Sequence, residues 1–427
     1  MEWWTYMLLF FGGLTVLLLT GLPVAFAFML INVIGVYVFW GGSIGLQQLI
    51  LSIDSSISTF VLVPVPMFIL MGSLFFHTGL AVRVFDALDT LLGRIPGRLC
   101  FLTVIGGSLF STLTGSTMAN TAMLGSLLVP EMQSRGYSKR MSMGPILGTG
   151  GLAMIIPPSS LGVLLASIAN VDVGALLIAG LLPGFLLATL YAAMIVFQLK
   201  INPDAAPSYD VESTTWTQKL YQITFNILPM GLVVFMVIGF IVLGWATPSE
   251  SASFGVVGVC ILAIANRVFT WEAFKKSLIG SIRVVGMVFF ILMNSTVFAQ
   301  LLSMSGAGRG LVEWATGFDV APLVILGAMF VVLILLGMFM DQVSMMLITV
   351  PIFFPLAQTL QFDLVWFALV MLLGLEISLT TPPFGLLLFV MMGVAPKGTK
   401  LGHVALAAAP YIGCAFVVLV LLIIFPQ

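Results

Sequence analysis

The chain has 427 residues, of which 60% are hydrophobic and only 7% are charged, and its formal net charge is −1. Soluble globular domains carry about a quarter of their residues as charged side chains, so this composition excludes one and predicts a polytopic helical membrane protein. The near-neutral charge gives no reason to expect a nucleic-acid partner. The three cysteines are far apart, and we expect them to be core residues without a metal or redox role.

Eight apolar runs are long enough to cross a bilayer. In chain order they cover residues 3–19, 23–40, 60–79, 173–199, 223–244, 250–266, 284–305 and 401–425. No lysine or arginine precedes the first run, so we expect it to remain a membrane span rather than to act as a signal peptide. Two amphipathic stretches, 84–98 and 307–319, are expected to lie flat in the membrane interface.

Four further apolar stretches are interrupted by small, polar or proline residues. Residues 99–132 and 320–358 are predicted to form re-entrant hairpins, and residues 141–170 and 364–395 to form broken helices. With this assignment, all but one of the 15 lysines and arginines fall on one face of the membrane, and Arg309 alone falls on the other. The positive-inside rule makes the basic face cytoplasmic and places both termini outside. This assignment has each hairpin enter and leave by one face and each broken helix cross once, and any other number of crossings scatters the basic residues over both faces.

Short sequence matches indicate that the two halves are copies of one unit. The sequence at 68–71 recurs at 290–293, and the double proline at 157–158 recurs at 382–383, with spacings of 222 and 225 residues. Duplicated halves with broken helices are typical of secondary transporters. We predict an all-α fold of two inverted repeats, each with a hairpin and a broken helix. The predicted domains are scaffold helices 1–83 and 223–306, interfacial arm helices 84–98 and 307–319, transport elements 99–199 and 320–427, and a cytoplasmic linker 200–222.

Each interruption is a candidate ion site. Non-helical backbone at bilayer depth persists only where protein or water pairs with it. Hydroxyl, amide and carbonyl oxygens suit a hard cation, and proline frees the carbonyl four residues before it. A single serine or threonine more commonly bonds to its own helix, but four interruptions related by repetition favour a sodium site. The candidate sodium ligands are Thr112, Gly115, Ser116, Asn120, Met154, Pro157, Asp341, Ser344, Ser378, Thr381 and Pro382.

The same interruptions are candidates for binding an organic acid. The N-terminus of a half-helix carries partial positive charge and suits a carboxylate, and no lysine or arginine lies near any of the four breaks. The candidate substrate ligands are Thr114, Ser116, Ser159, Ser160, Thr380 and Thr381. Asp341 is expected to have a cation partner, because an uncompensated carboxylate at depth is unfavourable. Glu376 could bind a cation, be protonated or form a hydrogen bond with a helix end, and all three alternatives remain open.

No motif of a hydrolase, metalloprotease or Walker-type ATPase is present in the sequence, so neither an enzyme nor an ATP-driven pump is predicted. No cofactor is expected, and sodium is the predicted coupling ion.

The interrupted segments resemble those of a known family. Residues 115–122, 148–162, 246–252 and 374–385 carry a resemblance to the large membrane subunit of tripartite ATP-independent periplasmic (TRAP) transporters that covers nearly the whole chain. The resemblance implies an elevator-type ion-transporter fold in the bacterial inner membrane, with a scaffold and a transport domain, and sodium coupling. It also implies two partners, a small four-helix membrane subunit on a separate chain and a periplasmic binding protein that delivers a carboxylate-bearing substrate.

Within that family the sequence suggests sialic acid as the substrate, with C4-dicarboxylates next. Two alternatives remain. One is a stand-alone sodium- or proton-coupled carboxylate carrier, and the other is an ion channel, since interrupted helices also fit re-entrant channel loops.

Overall fold

The computed structural model describes residues 2–93, 95–114, 117–208, 215–317, 320–338, 340–383, 385–396 and 398–426, with the backbone alone at 19 and 111–114. Over these residues the chain is all-α. The helices of the first half are α1 Trp3–Met7, α2 Gly13–Leu19, α3 Val24–Phe39, α4 Ser43–Ile57, α5 Pro64–His77, α6 Leu80–Leu92, α7 Arg98–Thr114, α8 Thr117–Ser134, α9 Lys139–Ile155, α10 Ser160–Ala169, α11 Val173–Ala179 and α12 Leu181–Ile201. Those of the second half are α13 Trp216–Gln222, α14 Leu228–Val242, α15 Pro248–Ala265, α16 Trp271–Met304, α17 Ala307–Thr316, α18 Pro322–Gly337, α19 Gln342–Thr359, α20 Leu364–Thr380, α21 Leu386–Val394 and α22 Leu401–Ile424.

The helices confirm a multi-pass membrane protein. Seven helical segments among the described residues are long and apolar enough to cross a bilayer, or eight if α9 and α10, which meet at 44°, form one broken span. The stretches predicted as hairpins form the helix pairs α7/α8 and α18/α19, and those predicted as broken helices form α9/α10 and α20/α21. The apolar runs therefore located these elements to within a few residues.

Helices α4, α13 and α16 differ from the prediction, and α13 lies within the predicted linker 200–222. The sequence analysis did not identify α4, because its glutamines, serines and Asp54 interrupt the apolar pattern. Helix α16 begins at Trp271, well before the predicted run at 284. Its polar first turns are helical because Thr270 caps them, accepting a hydrogen bond from Ala273 N at 3.1 Å, and because Glu272 and Lys276 form a 2.7 Å ion pair one turn apart.

Two half-helices, α9 and α20, form the centre of the molecule. Every residue of α9 from Met141 to Ile155 is buried, as is every residue of α20 from Trp366 to Thr380. Helix α9 packs against α7, α8, α12, α20 and α22, and α20 packs against α18, α19 and α22. A helix that is apolar on all sides is expected at such a position. The close approach of α9 and α22 depends on glycine, since a Cβ on Gly148 would lie 2.7 Å from the Tyr411 ring.

The two predicted arm helices, α6 and α17, begin at matching turns. Gly79 and Gly306 precede them with φ of +77° and +74°, a conformation that favours glycine. At the far end of α6, the buried Arg98 at the start of α7 forms a 2.7 Å ion pair with Asp89. Burial raises the pKa of Asp89, and Arg98 opposes that shift. The ion pair joins α6 to the first hairpin.

Helix α17 also contacts the beginning of the chain. The indole of Trp3 lies directly over Gly310, and its ring centroid is 6.4 Å from that of Trp314. Helices α1 and α17 therefore pack together along this aromatic contact.

Candidate functional site

The tip of the first hairpin is described only in part. Gly115 and Ser116 lie outside the described residues, and so do the side chains of Thr112 and Thr114. On the adjoining helix α8, the candidate sodium ligand Asn120 is fully buried, as is Thr117. This hairpin therefore directs polar side chains into the protein interior rather than towards lipid.

The tip of the second hairpin is organised by Asp341, which caps helix α19. Its Oδ2 accepts hydrogen bonds from Val343 N at 3.1 Å and Ser344 N at 3.4 Å, and Ser344 Oγ donates to Oδ1 at 2.5 Å. These donors already compensate the carboxylate, so no cation is needed to explain its position. A sodium ligand at Asp341 remains a prediction.

The two broken helices are interrupted in the same way. Pro157 and Pro382 each begin a double proline joined by a cis peptide bond. After the first break, Ser159 caps α10, its Oγ accepting a hydrogen bond from Gly162 N at 3.0 Å. The amides of Ser160 and Leu161 lie in the first turn of α10, where a helix supplies no acceptor.

The hydroxyls before the second break bond to their own helix. Ser378 Oγ donates to Leu375 O at 2.7 Å, while Thr380 Oγ1 and Thr381 Oγ1 donate to Ile377 O at 3.0 and 2.6 Å. Ser378 also lies so close to Gly337 that a Cβ there would collide with it. In this structure the three hydroxyls therefore bond to the backbone of their own helix, as serine and threonine commonly do in membrane helices.

All four interrupted elements meet in one buried cluster, which consists of Thr117 on α8, Met154 on α9, Gln342 on α19 and Glu376 on α20. Gln342 Nε2 lies 3.2 Å from both Thr117 Oγ1 and Glu376 Oε2, and 2.9 Å from Met154 Sδ. Thr117 Oγ1 is also 3.4 Å from Glu376 Oε2. The exposed fraction is no more than 4% for any member, so the cluster is shielded from solvent.

Glu376 is the most demanding member of this cluster, because within the described ranges no lysine or arginine forms an ion pair with it. Buried carboxyl groups require hydrogen-bond donors or a bound cation. A Cβ on Gly151 would lie 2.5 Å from the Glu376 carboxyl carbon, so only glycine leaves room for this side chain. The partner of Glu376 was left open in the prediction, and Thr117 and Gln342 were not among the predicted ligands, whereas Met154 was. Their sequence positions were the available signal, since Thr117 directly follows Ser116 and Gln342 directly follows Asp341.

Two large cavities lie along different parts of helix α16. The first, the 280-end cavity, has a volume of about 790 Å³ and lies between α5, the 280–291 part of α16, α8, α10 and the tip of the second hairpin. The second, the 300-end cavity, has a volume of about 1120 Å³ and lies between the 292–303 part of α16, α17, α19 and the end of α10. Ser295 Oγ donates to Leu347 O at 3.2 Å between α16 and α19 beside the second cavity.

The predicted ligands are distributed unevenly between these cavities. Ser160 and Asp341 line the 280-end cavity together with Gln342. Ser160 is 6% exposed, and its hydroxyl has no hydrogen-bond partner in the described part of the chain. Pro157 instead lies beside α11 and α14, away from both cavities. Arg309 lines the 300-end cavity.

Comparison with known proteins agrees with this architecture. A family model, described as the DctM component of the tripartite ATP-independent periplasmic transporter, matches residues 11–427. The C4-dicarboxylate TRAP transporter large permease protein DctM of Pseudomonas aeruginosa is 30% identical over 86% of this chain and 84% of its own length. The 2,3-diketo-L-gulonate TRAP transporter large permease protein YiaN of Escherichia coli is 26% identical over 98% of this chain and 97% of its own length.

A solved structure shares the fold. The Alcanivorax borkumensis YdaH transporter, whose topology is described as unusual, superposes with a TM-score of 0.63 over 90% of this chain and 88% of that protein, at 14% sequence identity. The family match extends over all four interrupted elements and both cavities. The chain therefore belongs to the DctM component family of TRAP transporters and is a transporter subunit rather than an enzyme.

Proposed function

We propose that this protein is the membrane permease for sodium-coupled uptake of a carboxylate-bearing solute, and that it works by an elevator mechanism. The buried cluster of Thr117, Met154, Gln342 and Glu376 carries the proposal. Its hydrogen bonds join both hairpins to both broken helices, so these elements can move as one transport domain. Helix α5 packs against both α15 and α16, and these three helices supply the opposing scaffold. The two predicted inverted repeats each contribute to both bodies.

The carboxylate of the solute would bind at the N-terminus of α10. The amides of Ser160 and Leu161 and the Ser160 hydroxyl have no partner among the residues that the structure describes. An anion bound there would lie at the positive end of the helix dipole, which is favourable. The 280-end cavity of about 790 Å³ falls within the range of small-molecule sites. By the charge-based topology this cavity would open towards the cytoplasm.

Sodium is the proposed co-transported ion, bound where the hairpin tips meet the helix breaks. Asp341, with Ser344, and the carbonyls freed before the double prolines are the proposed ligands, together with the residues of the first tip. Two sodium ions moving through about 100 mV and down a tenfold gradient would supply roughly 7 kcal/mol. A monoanion entering against that potential requires about 2.3 kcal/mol of this. The remainder of roughly 5 kcal/mol sustains accumulation above a thousandfold.

The family supports a proposal for the substrate class and the partners. The family name specifies three components, a periplasmic setting and independence from ATP. We infer a separate small membrane subunit, a periplasmic binding protein, an inner-membrane location and periplasmic termini. The related permeases named above transport C4-dicarboxylates and 2,3-diketo-L-gulonate. Sialic acid, suggested by the sequence, belongs with these acids as a candidate.

Uptake into proteoliposomes tests the proposal. The permease, its small subunit and its binding protein are reconstituted, and uptake of N-acetylneuraminate, succinate and 2,3-diketo-L-gulonate is measured with and without an inward sodium gradient. We expect uptake of one acid to require both the gradient and the binding protein. Uptake that persists without the binding protein would favour a stand-alone carrier. Single-channel current steps in planar bilayers would favour a channel.

A further inference from the structure

The 280-end cavity presents a second unsatisfied polar group, on a different helix from Ser160. Ser281, on the scaffold helix α16, lines this cavity and is 4% exposed. Its Oγ has no hydrogen-bond partner in the described structure. A buried hydroxyl without a partner is unfavourable by about 1 to 3 kcal/mol. The position therefore suits a ligand or water that supplies the missing bond.

The reason for the free hydroxyl lies in the packing of α5 against α16. A serine in a membrane helix ordinarily bonds to the carbonyl four residues earlier, which for Ser281 is Ser277 O. That carbonyl accepts a hydrogen bond from Ser73 Oγ at 3.2 Å, in addition to the helical bond from the Ser281 amide. Ser277 Oγ in turn donates to Ser73 O at 3.1 Å. Both lone pairs of Ser277 O are thus engaged, and the Ser281 hydroxyl has lost its usual acceptor.

Apart from Ser160 and Ser281, the polar side chains that line the cavity have partners, including Ser73 and His77 on α5. Ser126 Oγ donates to Met123 O at 2.9 Å, Gln342 is held in the buried cluster, and Asp341 caps α19. Along the described lining of this cavity there is no lysine or arginine. The cavity therefore offers an anion-binding helix end on the α10 side and a neutral hydroxyl on the α16 side.

We infer that Ser281 is a substrate-binding and specificity-determining residue, and that the transported solute is a polyhydroxylated monocarboxylate. This inference rests on the proposed function. The carboxylate binds at the N-terminus of α10, and Ser281 forms a hydrogen bond with a hydroxyl or amide group at the other end of the solute. A second carboxylate would meet the neutral Ser281 hydroxyl and the apolar side chains of α16 there, and no lysine or arginine of the described lining could pair with it. The site thus discriminates against C4-dicarboxylates of similar length.

Calorimetric titration of the purified complex of both membrane subunits in sodium buffer tests this inference, because it omits the binding protein and its own selectivity. The probes are N-acetylneuraminate, 2,3-diketo-L-gulonate and succinate. We expect at least one hydroxylated acid to bind ten times more tightly than succinate. Loss of one hydrogen bond in Ser281→Ala should weaken binding of that acid about three- to tenfold and leave succinate binding unchanged. Ser126→Ala is the matched control, and its effect should stay below twofold.

Substrate protection supplies a second readout that does not depend on folding of the alanine variant. In Ser281→Cys, a bound hydroxylated acid should slow modification by a membrane-permeant maleimide, whereas succinate should not. Tighter binding of succinate in the unmodified protein, or equal effects of the two alanine variants, would overturn the assignment of Ser281. In that case, uptake of an acid would still support the proposed function. Failure of all three acids both to bind and to be taken up would overturn both.

Discussion

Replacing Gln342 by leucine tests whether the buried cluster holds the interrupted elements together. Leucine removes the amide that lies 3.2 Å from both Glu376 Oε2 and Thr117 Oγ1, and it leaves the Glu376 carboxyl with the longer 3.4 Å bond from Thr117. Two buried hydrogen bonds, one of them to a carboxyl group, correspond to about 2 to 4 kcal/mol. We expect the free energy of unfolding of Gln342→Leu to fall by that amount.

A double-mutant cycle isolates the pair from the general effect of the substitution. Glu376→Met removes the carboxyl group, so adding Gln342→Leu to it leaves no buried carboxyl group without a donor, and of this hydrogen-bonded trio only the Thr117 hydroxyl remains. Replacing both partners by apolar groups is often nearly neutral, and we expect a coupling energy of at least about 1.5 kcal/mol. Reversible unfolding in mixed micelles of a mild detergent and sodium dodecyl sulfate, followed by tryptophan fluorescence, measures each variant.

The exposed Gln48 on α4 provides the matched control. Gln48→Leu should change the free energy of unfolding by no more than about 0.5 kcal/mol. The reasoning fails if Gln342→Leu has an equally small effect, or if the two substitutions at Gln342 and Glu376 add within about 0.5 kcal/mol.

Three further predictions concern packing, capping and topology. Gly148→Ala places a Cβ 2.7 Å from the Tyr411 ring and should lower the free energy of unfolding by about 1 to 3 kcal/mol, whereas Gly413→Ala on α22, with open space around it, should not lower it; equal effects would refute the packing argument. Asp341→Ala should lower the free energy of unfolding by about 0.5 to 2 kcal/mol through loss of the cap, whereas Asp341→Asn keeps the cap. If Asp341 binds sodium, Asp341→Asn should raise the sodium concentration for half-maximal uptake without changing the stability. Unchanged sodium dependence would exclude Asp341 as a ligand. Cysteines at the exposed positions Lys139 and Gln361 should react with an impermeant maleimide from opposite sides of the membrane, and reaction of both from one side would refute the inverted topology.

The positions of the interrupted elements could be predicted from the sequence because their signals are local. Apolar runs mark α7, α8, α18 and α19, and prolines mark both breaks. Helix α4 was missed because a helix that is polar on part of its surface has no long apolar run. The polar start of α16 was missed for the same reason, although the cap at Thr270 was available as a signal.

The cluster at the centre of the site could not be predicted in this way. Thr117, Gln342 and Glu376 come from elements up to 259 residues apart, and nothing local to any of them specifies which will meet. The role of Asp341 could have been predicted, since an aspartate directly before a helix is a common cap. The cation partner predicted for this carboxylate stays a prediction. The free hydroxyl of Ser281 depends on a bond between two other residues, so only the structure reveals it.

The contact of Trp3 with Gly310 makes these two positions interdependent. The indole covers the face of α17 where any Cβ would project, so neither position can change freely while the other stays fixed. Among relatives that keep this contact, a side chain at the position of Gly310 should occur together with a smaller residue at the position of Trp3. Co-variation of these two positions, which are about 300 residues apart in the sequence, would therefore indicate that the N-terminal helix packs against α17 in those relatives as well.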